Sequence, residues 1–297
     1  MNQSLANTET IRFYSKRNSL KVLAVIFLEW FIIISTFYLA ISFNRFFIYP
    51  FAVFIIATRM YALYSLTHEA CHYNLLKNKK VNDWIGNIFI AWPIFIDIQD
   101  MRKIHFSHHK NLQTEDDPEI KHLEYEEFQF PMSRKKLFLI LFKDLTGFNF
   151  IRYRLHIFKW ITILKNMSYI QLIYYFTILA LFLLSGHFIV FLLLWIIPYM
   201  TVFQLLNRIR LYSEHFNLPE KLKYKTRTLH LPKWSAFFIA PYGLGYHAEH
   251  HLYPSVPFYN LRKLHKEISN KEEYTNGVII EKNYWWMIQK YMKQNEL

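Results

Sequence analysis

The chain has 297 residues, 53% of them hydrophobic, and a single cysteine, Cys71, which excludes an intrachain disulfide and any multi-cysteine metal site. A net charge of +13 would suit nucleic acid, but the basic residues flank apolar stretches and form no basic domain of their own. They are assigned to membrane topology and anionic headgroups, with no nucleic-acid partner expected.

In chain order, residues 1–21 carry Arg12, Lys16, Arg17 and Lys21 and read as a cytoplasmic N-terminus. Residues 22–43 and 46–66 follow, each long enough to cross a hydrocarbon core, which takes about 20 apolar residues as helix. Only Asn44 and Arg45 separate them, so residues 22–66 are expected to form a helical hairpin. The first stretch is too long for a signal-peptide core and lacks a small-residue cleavage site, so it is expected to stay in the mature protein. Glu29 lies seven residues into the outgoing helix and Arg59 seven before the end of the returning one, at matching depths. They read as a buried ion pair or, equally, as an Arg59 that snorkels to the interface.

Residues 67–166 form a long basic region expected to be cytoplasmic and interfacial. Within it, WIGNIFIAWPIFID at 84–97 is apolar but short and broken by Pro93, which suits a re-entrant or interfacial segment better than a span. Residues 134–166 mix Lys and Arg with Leu, Ile, Phe and Trp, as helices lying in the interface do, or as amphipathic helices packed on a soluble domain do. A second apolar pair, 170–184 and 188–206, turns at Ser185, Gly186 and His187 and makes residues 167–206 a second hairpin. Residues 207–297 then return to the cytoplasm. The fold class read from this pattern is an all-α membrane protein of 297 residues in one domain, with four transmembrane helices in two hairpins and a cytoplasmic helical cap. Both termini are expected in the cytoplasm, in a bacterial inner membrane in preference to endoplasmic reticulum.

Eight of the 14 histidines fall in three clusters: His68 and His72 in HEACH, His105, His108 and His109 in HFSHH, and His247, His250 and His251 in HAEHH. Chance would give each HxxHH pattern on the order of 0.03 times in such a chain, so two copies are a signal. On a helix, positions i, i+3 and i+4 share a face, and each cluster is expected to aim its imidazoles at one point. Crowded neutral imidazoles lack partners and protonated ones repel, whereas metal coordination satisfies both. Continuing the fourth span as helix brings His215, in RIRLYSEHF, to the same side as a ninth candidate. Nine imidazoles exceed one ion, so at least two ions are implied, with iron, copper or zinc suiting a nitrogen-rich set. His122, His156, His187, His230 and His265 are read as ordinary core or surface histidines.

These motifs, HEACH, HFSHH with TEDDPE after it, RIRLYSEH, and YHAEHHLYPSVPFYNLRKLH, are similar to those of the membrane fatty acid desaturase and hydroxylase superfamily, over residues 62–265. The resemblance implies a non-haem diiron centre on His68, His72, His105, His108, His109, His215, His247, His250 and His251, with two iron ions as cofactor, O2 as co-substrate and an apolar chain as substrate. The three-residue spacing of the first box and His247 at the start of the third look most like acyl-lipid desaturases. Acyl-CoA desaturases place an asparagine where this chain has Leu211, so that water-mediated ligand does not carry over. No fused haem domain is read, so electrons are expected from a separate ferredoxin-like or cytochrome-type donor with its reductase.

Glu69, Glu214 and Glu249 adjoin ligand histidines and are expected to accept their second ring N–H. Asp116 and Asp117 are read first as helix-capping residues and second as such acceptors. Arg208 and Arg210 would hold an anionic headgroup or mark a basic membrane boundary. The leading expectation is an O2-dependent acyl-lipid desaturase. A hydroxylase or ketolase of a fatty acid, sphingolipid or carotenoid is the alternative on the same scaffold. A metal transporter would need polar residues along its spans, and a zinc-dependent amidase would need fewer ligands.

Overall fold

The computed structural model describes residues 5–119, 125–154 and 167–293. The helices used below are α1 (Thr8–Tyr14), α2 (Ser19–Phe43), α3 (Ile48–Cys71), α4 (Lys79–Gly86), α5 (Ile98–Lys110), α6 (Arg134–Leu145), α7 (Phe148–Arg154) and α8 (Tyr169–Leu184). After them come α9 (Phe188–Glu214), α10 (Lys233–Ile239), α11 (His247–Leu252), α12 (Phe258–Ile268), α13 (Glu272–Gly277) and α14 (Tyr284–Lys293). The only described sheet is one parallel pair, β1 (Arg227–Leu229) with β2 (Ile279–Glu281), which sequence reading missed.

Three helices, α2, α3 and α9, are long and apolar enough to cross a membrane. The fourth expected span, α8, has 16 residues and starts at its cap, Ser168, whose hydroxyl accepts from the Gln171 N–H. At 1.5 Å per residue it is about 24 Å long, short of a hydrocarbon core of about 30 Å. Its outer face and that of α2 are lined by exposed Phe, Leu and Ile, among them Phe27, Phe31, Ile34, Ile173, Phe176 and Leu181. Contiguous apolar surface of this kind is stable against lipid and not against water.

The described residues cluster into two compact units. One comprises residues 28–61 and 138–207. Its core is apolar, with Trp30 stacked on Trp195 at 6.1 Å and Ala40, Ala52 and Leu194 fully buried. Within it the Arg59 guanidinium donates to both Glu29 carboxylate oxygens, at 3.2 and 3.3 Å. Both side chains are buried, so Arg59 pairs and does not snorkel.

The other unit comprises residues 1–27, 62–137 and 208–297. A cluster of Leu5, Ala6, Tyr14, Ala248, Leu261, Leu264 and Tyr274 packs the N-terminal segment onto α11 and α12. Residues 84–97 complete α4, then run as a π turn at Asn87–Ala91 and a 3-10 turn at Trp92–Ile94. Of the 134–166 stretch, α6 and α7 are helices with exposed Phe138, Phe142, Phe148 and Ile151, and residues 155–166 lie outside the described residues.

Candidate metal centre

The second unit gathers all nine expected histidines. His68 lies on the last turn of α3 and His72 just beyond its end, His105, His108 and His109 on α5, and His247, His250 and His251 on α11. His215 follows directly on α9. Residues far from the ligands in sequence fix these elements. Asp97 caps α5 by accepting from the Gln99 and Asp100 N–H groups. Arg102, on α5, donates to the Ala70 and Cys71 carbonyls at the end of α3 and to Asp83 on α4. It thereby satisfies carbonyls that a helix end leaves without partners, and it locks the first two histidine motifs together. Arg227 of β1 does the same beyond α9, donating to the Tyr212 and Phe216 carbonyls on either side of His215. Gly245 lets the chain before α11 approach β1, since a Cβ there would lie 2.9 Å from the Leu229 carbonyl oxygen. Neither arginine stands out in the sequence, because each acts on carbonyls that only the fold brings near.

The imidazoles form two groups, and each HxxHH triplet is divided between them. His68, His72, His105, His109 and His250 offer five nitrogens within 4.8 Å of one another. His108, His215 and His251 make the other group, and His247 joins it through an Nε2 contact of 2.8 Å with His215. Positions i and i+4 of each triplet thus serve one group and position i+3 the other. This corrects the expectation that each triplet converges on a single point: i+3 and i+4 are neighbours about 100° apart around the helix, enough to aim them at different groups when two sites lie side by side.

Hydrogen-bond accounting fits a cation in these groups. His215 Nδ1–H donates to the Lys225 carbonyl at 3.0 Å, and His108 Nδ1–H donates to Asp117 at 2.9 Å. In the neutral ring, the Nε2 of each is then a bare lone pair. Yet these two Nε2 atoms are 3.1 Å apart, and His251 and His247 Nε2 also lie within 3.1 Å of His215 Nε2. Burial, then the neighbouring imidazoles, hold His105, His247, His250 and His251 well below the ordinary histidine range. The same causes bring His109 and His215 to about 3, while burial and Arg102 bring His72 to about 4. Apart from His108, these imidazoles have no protons to share, so the facing lone pairs of His215, His247 and His251 need a shared cation, and nitrogen-only groups suit iron, copper or zinc.

The acidic residues differ from expectation. Asp117 is buried and accepts from His108 Nδ1 and from the Gln113 and Glu119 N–H groups, so it is the ring-orienting residue for which capping had been preferred, while Asp116 is exposed. Burial opposes charge on His108, but the Asp117 hydrogen bond and nearby Glu119 outweigh it and raise its pKa. Glu214 Oε1 lies 3.4 Å from His247 Nδ1, close to it but without a hydrogen bond. Glu69 instead accepts from the Phe258 N–H at 2.9 Å, bracing α12. Glu249 accepts from Thr228, Tyr274 and His265, not from a ligand histidine. Both face away from the imidazoles because the helical residue next to a ligand is turned about 100° from it.

His265 is a satisfied core histidine between Glu249 and His230, whereas His122 and His156 lie outside the described residues. Arg208 stacks on Phe128 and Arg210 pairs with Glu214, and both are buried, so neither marks an exposed basic boundary. Replacing Asp117 by Asn is expected to weaken metal retention by about 10- to 100-fold in chelator competition, because the tautomer of His108 is no longer fixed.

A helical chain with apolar spans and two adjoining imidazole groups is a membrane-associated protein consistent with a metal site. Comparison with known proteins carries this further. The chain belongs to the fatty acid desaturase family, whose sequence model matches residues 44–283. It is also 28% identical over 239 residues to dihydrorhizobitoxine desaturase from Bradyrhizobium elkanii, covering 74% of this chain and 67% of that protein. Both findings support a desaturase-like enzyme, an oxidoreductase.

Proposed function

We propose that the chain is an O2-dependent acyl-lipid desaturase that introduces a double bond into a lipid chain with electrons from a separate donor. The observation that carries this reading is the grouping of nine imidazoles, five and four, with no thiolate among them. Two irons bound there would supply the dioxygen chemistry needed to break an unactivated C–H bond. His68, His72, His105, His109 and His250 would hold one ion, and His108, His215, His247 and His251 the other. Asp117 and Glu214 would fix the tautomers of His108 and His247 from outside the metal sphere.

The proposal includes the topology: one integral-membrane unit with α8 pairing with α9 as a second hairpin, and residues 1–21, 67–166 and 207–297 on the cytoplasmic side. The short α8 would then rely on local thinning of the bilayer. A basic cytoplasmic face favours an acidic ferredoxin-like or cytochrome-type donor. A bacterial inner membrane is the setting that we assign.

The test is untargeted profiling of cells expressing wild type or His108→Ala, with oxygen and a donor present. The expected result is a product two hydrogens lighter than its precursor that is lost in the variant. A product one oxygen heavier would make the protein a hydroxylase, and no difference would reject both. Because the Bradyrhizobium relative is named for dihydrorhizobitoxine, the profile should cover polar metabolites as well as lipids. Metal analysis is the companion measurement: about two irons per chain are expected, and zinc alone would reject the diiron assignment.

A further inference from the structure

The two imidazole groups are unequal. The first presents five nitrogens and the second four, so the second is one protein ligand short of the first. Beside the smaller group lies a pocket lined by His108, His215, Glu119, Glu214 and Leu211. Four of the side chains around it are already committed or inert, the first being Gln113, whose amide donates to the His215 carbonyl. Asp117 is held by His108 and two backbone N–H groups. Glu214 lies between Arg210 and His247. Leu211 offers no polar atom.

Glu119 remains. Its carboxylate is about one quarter exposed, and its Oε2 lies 3.9 Å from His108 Nε2, the nitrogen on the metal-facing side of that ring. Its backbone is anchored, since its N–H donates to Asp117 at 2.9 Å, so the same aspartate that orients His108 also sets where Glu119 begins. Two ligands each about 2.1 Å from one ion stand roughly 3.0 Å apart at a right angle and roughly 4.2 Å apart when opposite. The observed 3.9 Å falls inside that interval, whereas a hydrogen bond would need a much closer approach.

We propose that Glu119 supplies a carboxylate ligand to the ion held by His108, His215, His247 and His251. The two ions would then have five protein ligands each, one set all nitrogen and the other four nitrogens and one oxygen. An anionic oxygen is a harder donor than imidazole, so the two ions become chemically distinct. The carboxylate stands on a turn and is partly exposed, so it can leave without moving a helix. The inference rests on the two-metal reading above.

The test uses full-length protein in detergent, loaded with iron, comparing wild type with Glu119→Gln and Glu119→Asp. Chelator-driven release and Mössbauer spectra of the reduced form are read, alongside helicity by circular dichroism. Wild type is expected to show two distinguishable sites. Glu119→Gln should release one ion at least about tenfold faster and change one of the two signals, with helicity kept and Glu119→Asp close to wild type. Unchanged release and spectra, or equal acceleration for both ions, would overturn the assignment. If zinc fills the sites in place of iron, the diiron reading fails, while selective release from Glu119→Gln still decides the role of Glu119.

Discussion

His215→Ala is expected to reduce product formation by at least about 100-fold and to lower the metal content from two ions per chain to one. Loss of a residue that merely orients a ligand costs about 10- to 100-fold in affinity or activity, and loss of the ligand itself should exceed that. His215 is the hub of the smaller group: its Nε2 lies 3.1 Å from His108, 3.1 Å from His251 and 2.8 Å from His247. Its contribution to stability is much smaller, because among the described residues the only other side-chain hydrogen bond that it loses is the one to the Lys225 carbonyl, worth about 1 kcal/mol. Metal analysis of the folded variant separates the two effects, and a variant that keeps both ions would remove His215 from the site. His230→Ala serves as the control. That imidazole is exposed and bonded to His265, and it is expected to keep both ions.

Glu29→Ala and Arg59→Ala are each expected to destabilise the protein by roughly 3–5 kcal/mol, since each leaves the opposite charge buried without this ion pair. The guanidinium reaches both carboxylate oxygens from a helix 30 residues away, with no access to solvent on either side. The double variant should then cost less than the two single variants together, by more than about 1 kcal/mol, because it removes the stranded charge. An ordinary hydrogen bond between spanning helices averages only about 0.6 kcal/mol, so the coupling tells the two cases apart. Unfolding of purified protein in detergent for all four forms makes the measurement, and additive costs would show that the pair is not coupled.

Most of the histidine cluster was legible because imidazole clusters are rare and the i, i+3, i+4 spacing has a direct geometric meaning on a helix. His215 was legible for a related reason: helix continued past an apolar span places it a predictable distance along one axis. The depth match of Glu29 and Arg59 followed from the same rise per residue, although their pairing did not, since snorkelling satisfies the same depth. The carboxylates that brace the histidines are not legible in the same way. Adjacency in sequence singled out Glu69 and Glu249, yet neighbouring helical residues point about 100° apart, and both turn away from the imidazoles. Asp117, nine residues from His108 and on a turn, carries the role instead.

The sequence by itself determined that the chain is apolar and helical and which histidines come together, because each of these depends on residue type and local periodicity. Only the tertiary structure decided how the triplets divide into groups of five and four, that Arg102 and Arg227 clamp the ligand-bearing segments, and that Glu119 faces the smaller group. These depend on side-chain directions between elements remote in sequence, and no local pattern encodes the angle at which two helices meet.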